Sequence, residues 1–390
     1  MTDPSHIRWF TDPSTIEPEA REQIRRTASM PFVRGLAVMP DVHLGKGSTV
    51  GTVVATRGAV MPACVGVDIG CGMIAVRTNL EADGLTPKLR ATLRQGIEHR
   101  IPVGAGRHGQ NRKVQASARP RAVELEAQPA ARVMDGRAPN WREQIGSLGG
   151  GNHFIEICRD EQGTVWAFLH SGSRGVGNKT GMLWTREAQR EARARGDLDD
   201  LPDRDLAYLR EGSESYERYL DEARWCQRYA VLNREEMMER VLDELSRVRP
   251  ETEERLRIQC HHNYLAEETH AGERLLVTRK GAIEATRGTY GLIPGSMGTK
   301  SYVVTGLGDP ESYASAPHGA GRRFSRTAAR KRFTLGDLEE RMAGIEFRAR
   351  AELLDEHPDA YKDIDTVMRE AARLVRPEHV LTQLVSVKGD

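Results

Sequence analysis

The residues with the most chemistry to offer stand beside glycine. In Cys64-Val-Gly-Val-Asp-Ile-Gly-Cys-Gly-Met73 a carboxylate, Asp68, and a thiol, Cys71, lie three residues apart among three glycines. Strands and helices both disfavour that many glycines, which add backbone entropy and bring no side chain to pack. The segment is therefore expected to be a loop that something approaches closely. Five more segments set a metal-capable side chain beside glycine or a small polar residue: Met39-Pro-Asp-Val-His-Leu-Gly45, Gly149-Gly-Gly-Asn-His-Phe154, Leu169-His-Ser-Gly-Ser-Arg174, Cys260-His-His-Asn263 and His318-Gly-Ala-Gly-Arg322. Carboxylate, thiolate and neutral imidazole are the groups that bind borderline divalent ions. One histidine beside a glycine is ordinarily structural; six such segments in one chain point to a site. A thiolate has lone pairs for two cations, so Asp-x-x-Cys suits a two-metal centre for phosphoryl chemistry, where paired ions neutralise attacking and leaving oxygens.

The common nucleotide signatures are missing. The one Gly-Lys pair, Gly45-Lys46, is followed by Gly47 and makes no phosphate-binding loop, and Lys-x-Asp-Gly, the nucleophile motif of common polynucleotide ligases, does not occur. Gly104-Ala-Gly-Arg-His-Gly109 matches G-x-G-x-x-G, but a basic, non-periodic stretch follows it instead of a packing helix, so it is set aside. The glycines of Gly291-Leu-Ile-Pro-Gly-Ser-Met-Gly298 can present backbone N–H groups to a phosphate or base; a plain turn before the strand Ser301–Thr305 explains them equally well.

These loops need elements to hold them. Leu36 to Arg77 is dense in Val, Ala, Gly and Ile and predicts short buried strands with functional loops between them. Ile145 to Asn178 predicts a second such block, and 107–140 a basic surface excursion. From about 182 to 248 the chain turns rich in Glu, Arg, Ala and Leu. Tyr216, Tyr219, Leu220, Ala223, Cys226 and Ala230 recur there at helical spacing, which predicts a helical insertion. Further helices are expected around 335–357 and 360–374. Because motif blocks flank the helical segment, the fold class expected is mixed α/β, with residues 1–390 forming one composite domain. The 390 residues suffice for a sizeable core. Net charge is +1, so any nucleic-acid contact must be a local basic groove. Five scattered cysteines argue against a disulfide framework. With no apolar run that could span a bilayer, and no basic-then-apolar leader in MTDPSHIRWF, no membrane contact and a cytoplasmic location are expected.

The blocks MPDVHLGKGST, GVDIGCGM, GNHFIEI, LHSGSRGVGN, CHHNY, VTRKGA, IPGSMG, HGAGR and AYKDID, with a terminal VKG, closely resemble the RtcB family of RNA-splicing ligases, in the family's order from Met39 to Gly389. The resemblance implies a GTP-dependent RNA ligase with two Mn2+ ions per site. It implies metal ligands Asp68, Cys71, His153, His170 and His262, with Cys71 bridging, and catalytic His318 as the histidine that becomes covalently guanylylated. For the guanine nucleotide it implies Asn152, His153, Phe154, Ile155, Glu156, His262, Asn263, Pro294, Gly295, Ser296, Met297, Ser301, His318, Gly319, Ala320, Gly321 and Lys388. Arg322 and the pair Asn233-Arg234 are expected to face RNA phosphate. The implied substrates are RNA 2′,3′-cyclic phosphate or 3′-phosphate ends and 5′-hydroxyl ends, in tRNA splicing or RNA repair, with an archease-type activator as candidate partner.

The chain departs from the family pattern at Pro317 before the nucleophile, at Arg323-Phe324 after HGAGR, at Gly150 in GGGNHF, and at Asp390 after the terminal Lys-Gly. None removes a ligand. The alternative reading is a metal-dependent cyclic phosphodiesterase or phosphatase that does not seal; it needs the Asp/Cys/His cluster but not His318, Pro294–Met297 or Lys388. A third, a catalytically idle RNA-binding relative, predicts lost ligands. Trp141, Trp166 and Trp225 read as core residues before they read as base-stacking platforms.

Overall fold

The computed structural model describes residues 6–104 and 113–389. Most of the G-x-G-x-x-G match, the start of the expected surface excursion and Asp390 lie outside them. The chain opens with β1 (Ile7–Trp9), α1 (Pro18–Ala28), β2 (Val33–His43), β3 (Val50–Thr56), β4 (Ala59–Val60) and β5 (Gly72–Glu81). Then come α2 (Pro87–Arg100), α3 (Arg119–Glu126), α4 (Ala131–Arg137), β6 (Phe154–Arg159), β7 (Thr164–Ser171) and α5 (Arg174–Arg195). The middle holds β8 (Leu209–Arg210), α6 (Glu214–Val248), β9 (Glu254–His261), β10 (Asn263–His270) and β11 (Glu273–Lys280). The last part is β12 (Ala282–Glu284), β13 (Tyr290–Pro294), β14 (Ser301–Gly306), β15 (Ser315–Pro317), α7 (Arg326–Arg332), α8 (Leu335–Arg341), α9 (Ile364–Glu370) and β16 (Val375–Lys388).

Two sheets carry the architecture, in the strand orders β1-β2-β3-β11-β10 and β13-β14-β16-β6-β7-β5-β9. Only the β1–β2 pair within them is parallel. The period-2 alternation of strands sorts their side chains. Ala37, Met39, Val53, Ala55 and Val277 of the first sheet meet Met73, Ala75, Phe154, Trp166 and Phe168 of the second in one buried cluster. The intervening residues Ile74, Val76, Ile155, Ile157, Ala167 and Leu169 face outward and are covered by Leu93 and Ile97 of α2 and by Met237, Val241 and Leu245 of α6. Leu36, Val38 and Val54 are covered by Ala20, Ile24 and Ala28 of α1. The fold is mixed α/β, as expected.

Several expectations need correction. The helical segment begins at Arg174 rather than near 182, and α6 packs beneath the second sheet. The described part of the 107–140 stretch is helical, with Ala118, Ala122, Leu125 and Met134 buried against α5 and α6. The helices expected around 335–357 and 360–374 shrink to α8, α9 and short 3-10 turns. Gly344, at φ +84°, interrupts the first, Pro358 opens a 3-10 turn between the two, and the second runs out before β16. Trp141, Trp166 and Trp225 are core residues, the first and last packed edge to face at 5.1 Å.

Register aligns the motif blocks at one end of both sheets. Gly72 of β5 pairs with Ser171 and His261, Phe154 with His170 and Lys388, Pro294 with Ser301, Lys280 with Asn263 and Thr52, and Pro317 with Ala282. Residues far apart in sequence thus leave their strands at the same rim.

Candidate functional site

The loop between β4 and β5 supplies Asp68 and Cys71, and two glycines show why it is built as it is. Gly70 sits at φ +80°, in the left-handed region that side chains disfavour. A Cβ on Gly172 would collide with the Asp68 carboxylate. These glycines let the two chain segments close on the acid and the thiol.

Cys71 Sγ lies 3.2 Å from His170 Nε2 and 3.5 Å from His153 Nε2, and His153 Nε2 lies 3.2 Å from Asp68 Oδ2. His170 Nε2 and His262 Nε2 are 2.8 Å apart. The tautomers follow from the other ring nitrogens. His153 Nδ1 donates to Leu148 O and His170 Nδ1 to Asn152 O, both at 3.0 Å. His262 Nδ1 donates to Asn263 Oδ1 at 3.2 Å, an oxygen fixed as acceptor because Gly281 N–H also donates to it. All three Nε2 atoms therefore present lone pairs inward, and those of His170 and His262 point at each other with no proton between them. A cation relieves that opposition, and outward Nδ1–H bonds of this kind are how proteins orient metal-binding imidazoles. The donor set suits a pair of divalent ions, Asp68 and His153 on one side, His170 and His262 on the other, with the Cys71 sulfur between.

Burial and neighbouring His153 hold His170 well below the usual imidazole value, and burial with His318 does the same to His262, so both rings stay neutral, with a lone pair that a cation could use. Burial and the Asp68 charge push the Cys71 thiol up, and a bound cation would reverse that. Burial works to raise Asp68, but its hydrogen bond and charge contact with His153 keep it below the ordinary carboxylate value.

His318 follows β15, with its ring centroid 4.7 Å from that of His262. Asp41 Oδ2 accepts three hydrogen bonds: from His318 Nδ1 at 2.6 Å, His318 N at 3.0 Å and Gly319 N at 3.2 Å. Asp41 is fully buried at the end of β2. Its carboxylate fixes the Nδ1–H tautomer and leaves the lone pair of His318 on Nε2. Pro317, the departure before it, ends β15 by pairing with Ala282 and does not prevent these contacts.

A cleft of about 520 Å³ joins these groups to the other motif residues. Asp68, Cys71, Asn152, Phe154, Glu156, His170, His262, Asn263, Pro294 to Met297, Ser301, His318 to Gly321 and Lys388 all line it. Two expected residues do not. His153 lies below the surface on Asp68, and the Ile155 side chain points into the core on the sheet's other face. At one end Lys388 Nζ sits 6.0 Å over the Phe154 ring. Burial raises the Glu156 carboxyl to about 8, despite Lys388. Glu356 behaves oppositely: burial works against its charge, yet Lys388 at 2.8 Å and Arg326 at 3.3 Å bring it down to about 2. Lys280, brought to about 8 by burial, donates to Lys46 O, Ser48 O and Ala63 O and so clamps two loops beside the centre.

The expected RNA-facing pair is corrected. Arg234 is fully buried on α6, donating to Gly70 O and Ser171 O, and Asn233 beside it holds Gly146 N and Gly172 O. Both brace the ligand loops and neither can meet RNA. Arg322 lines the cleft, but its guanidinium is taken by Glu356, Tyr361 and Asp355 O. Asp41, Glu356 and Tyr361 are site residues that sequence reasoning left out. Asp41 and Tyr361 stood inside quoted blocks, whereas Glu356 carries no local signal.

The profile of the family described as tRNA-splicing ligase RtcB matches residues 23–389. An Escherichia coli protein named RNA-splicing ligase RtcB is 47% identical over 409 residues, covering 100% of this chain and 98% of its own. A Mycobacterium tuberculosis protein of the same name is 31% identical, covering 94% of this chain and 100% of its own. The tRNA-splicing ligase RtcB of Aeropyrum pernix is 30% identical, covering 86% and 83%.

Proposed function

This chain belongs to the RtcB family, and from that premise we propose that it is a GTP-dependent RNA ligase joining 2′,3′-cyclic phosphate or 3′-phosphate ends to 5′-hydroxyl ends. The observation that carries the reading is His318: its Nδ1 is fixed 2.6 Å from Asp41, and its ring stands 4.7 Å from a histidine of the metal-binding cluster, in the cleft that also holds Glu156 and Lys388. A cyclic phosphodiesterase needs the cluster but has no use for an oriented imidazole nucleophile or a base-binding end.

Two divalent cations, assigned as manganese, would be held by Asp68, Cys71 and His153 and by Cys71, His170 and His262, and when bound would offset charge on the reacting phosphates. The chain's own groups do the rest. His318 Nε2 attacks the α-phosphorus of GTP, a P–N bond forms and pyrophosphate leaves. Asp41 keeps the Nδ1 proton in place and balances the positive charge that the ring gains. Glu156, Phe154 and Lys388 hold the guanine. Water opens the cyclic phosphate, an oxygen of the resulting 3′-phosphate takes GMP from His318, and the 5′-hydroxyl attacks that phosphate and releases GMP. We assign the whole of 1–390 to this ligase unit, acting in tRNA splicing or RNA repair; among the described residues no helix is long and apolar enough to cross a membrane.

The test uses a cyclic-phosphate RNA labelled in that phosphate, a 5′-hydroxyl RNA, GTP and manganese. A joined strand keeping the label at the junction, formed only with GTP, is expected. Opening of the cyclic phosphate with no joining, independent of GTP, would replace this reading with the phosphodiesterase.

A further inference from the structure

Besides the groups around His318, Glu156 and Lys388, the cleft has a further lining, a second lobe made by the loops of Lys46, Ala63 and Val67 with Lys280, Asp205 and one face of α5. Several contacts tie its walls together. Lys280 gathers the loops carrying Lys46, Ser48 and Ala63. A Cβ on Gly281 would touch both Val50 and His318. Gly181 of α5 packs on Val67, and Gln189 Nε2 donates to Asp205 Oδ1 at 3.0 Å across from Gly47. Met182, Thr185, Arg186 and Gln189, at helical spacing along one face of α5, close the lobe.

Charge separates the two ends. The cations near Glu156 are matched within the protein: Lys388, Arg322 and Arg326 all pair with Glu356. In the second lobe Lys46 and Arg186 are exposed, and among the described residues neither side chain has an ion pair or hydrogen bond. The lobe's acid, Asp205, is engaged by Gln189. Two uncommitted cations, neutral polar side chains and apolar surface at Met182 and Val67 (38% exposed) are what a single-stranded polyanion with stacking bases needs.

We propose that this lobe binds the terminal nucleotides of the RNA strand that ends in the reacting phosphate, with Lys46 and Arg186 contacting its backbone phosphates. This rests on the ligase reading above. The nucleotide fills the Glu156–Lys388 end, so the strand that receives GMP must reach His318 through what remains of the cleft. A strand with its terminal phosphate at the metal-binding cluster sets its next phosphates further out, at the rim where these two cations stand.

Binding of a short fluorescent 3′-phosphate RNA to manganese-loaded protein tests this without turnover, with GMP labelling of the protein as a separate measurement. Lys46→Ala with Arg186→Ala is expected to weaken RNA binding at least about tenfold and to flatten its salt dependence by about 0.7 log units per phosphate contact removed. GMP labelling, which involves no RNA, reports whether the nucleotide end survives the substitutions. Unchanged affinity and salt slope would overturn the proposal, as would weakening confined to a 5′-hydroxyl strand. A wild-type protein that takes no GMP label would refute the ligase reading, while the binding measurement would still decide what the lobe does.

Discussion

Loading the site with a divalent cation is the perturbation whose effect follows most directly from the geometry. Without one, the facing His170 and His262 lone pairs at 2.8 Å and the buried thiol of Cys71 are held together by the fold alone. An ion that binds only the folded chain stabilises it by RT ln(1 + [L]/Kd), about 2.7 kcal/mol at a hundredfold excess over Kd. At roughly 2.1 cal/mol/K per residue, a chain of 390 residues unfolds with an entropy of about 0.8 kcal/mol/K. One saturated ion should then raise the melting temperature by about 3 °C, and two by about twice that. Scanning calorimetry with and without manganese, on wild type and Cys71→Ala, measures it. Because Cys71 sits between His153 and His170, the variant should lose most of the shift. Ligation of the thiol releases a proton, so the apparent affinity of wild type should rise about tenfold per pH unit around neutrality. An equal shift in Cys71→Ala would refute the assignment of these residues as one centre.

Asp41→Asn keeps an acceptor for the two backbone N–H groups but removes the charge that orients His318; GMP labelling should slow by about a hundredfold or more while the manganese-induced melting shift persists. Glu356 has a folded value near 2 against an ordinary 4.5, so its contribution is complete above pH 4.5 and is lost as pH falls toward 2. It amounts to about 3 kcal/mol, and acid denaturation of Glu356→Gln should be correspondingly shallower across that window. Thiolate and imidazole prefer zinc to manganese by intrinsic affinity, so zinc should bind and inhibit; full joining activity in excess zinc without manganese would contradict this.

The chemistry was more legible in the sequence than the scaffold was. Every expected metal ligand reaches one cluster because each stands at a strand end or in the loop leading to one, and four of them, Asp68, Cys71, His153 and His170, lie within two residues of a glycine, a local signal that His262 lacks. Asp41 and His318 are 277 residues apart, so nothing in spacing couples them. Asn233 and Arg234 misled because the resemblance carried over residue types and not burial, and polar residues on a helix ordinarily face water. On α6 the buried set includes Glu222, Arg234, Glu236, Arg240 and Glu244, paired or hydrogen-bonded inside the protein, and burial of paired charge leaves no periodic mark. The long strand β16 was missed because Pro377 and a register shift near Gln383 break its alternation.

The central claim is that His318 carries GMP, and one measurement addresses it directly. The protein is incubated with manganese and α-labelled GTP, denatured, and tested for retained label, beside a His318→Ala variant that still shows the manganese-induced melting shift. Acid-labile, base-stable label on wild type and none on the variant is predicted. Label surviving on His318→Ala, or none on metal-loaded wild type, would contradict the account.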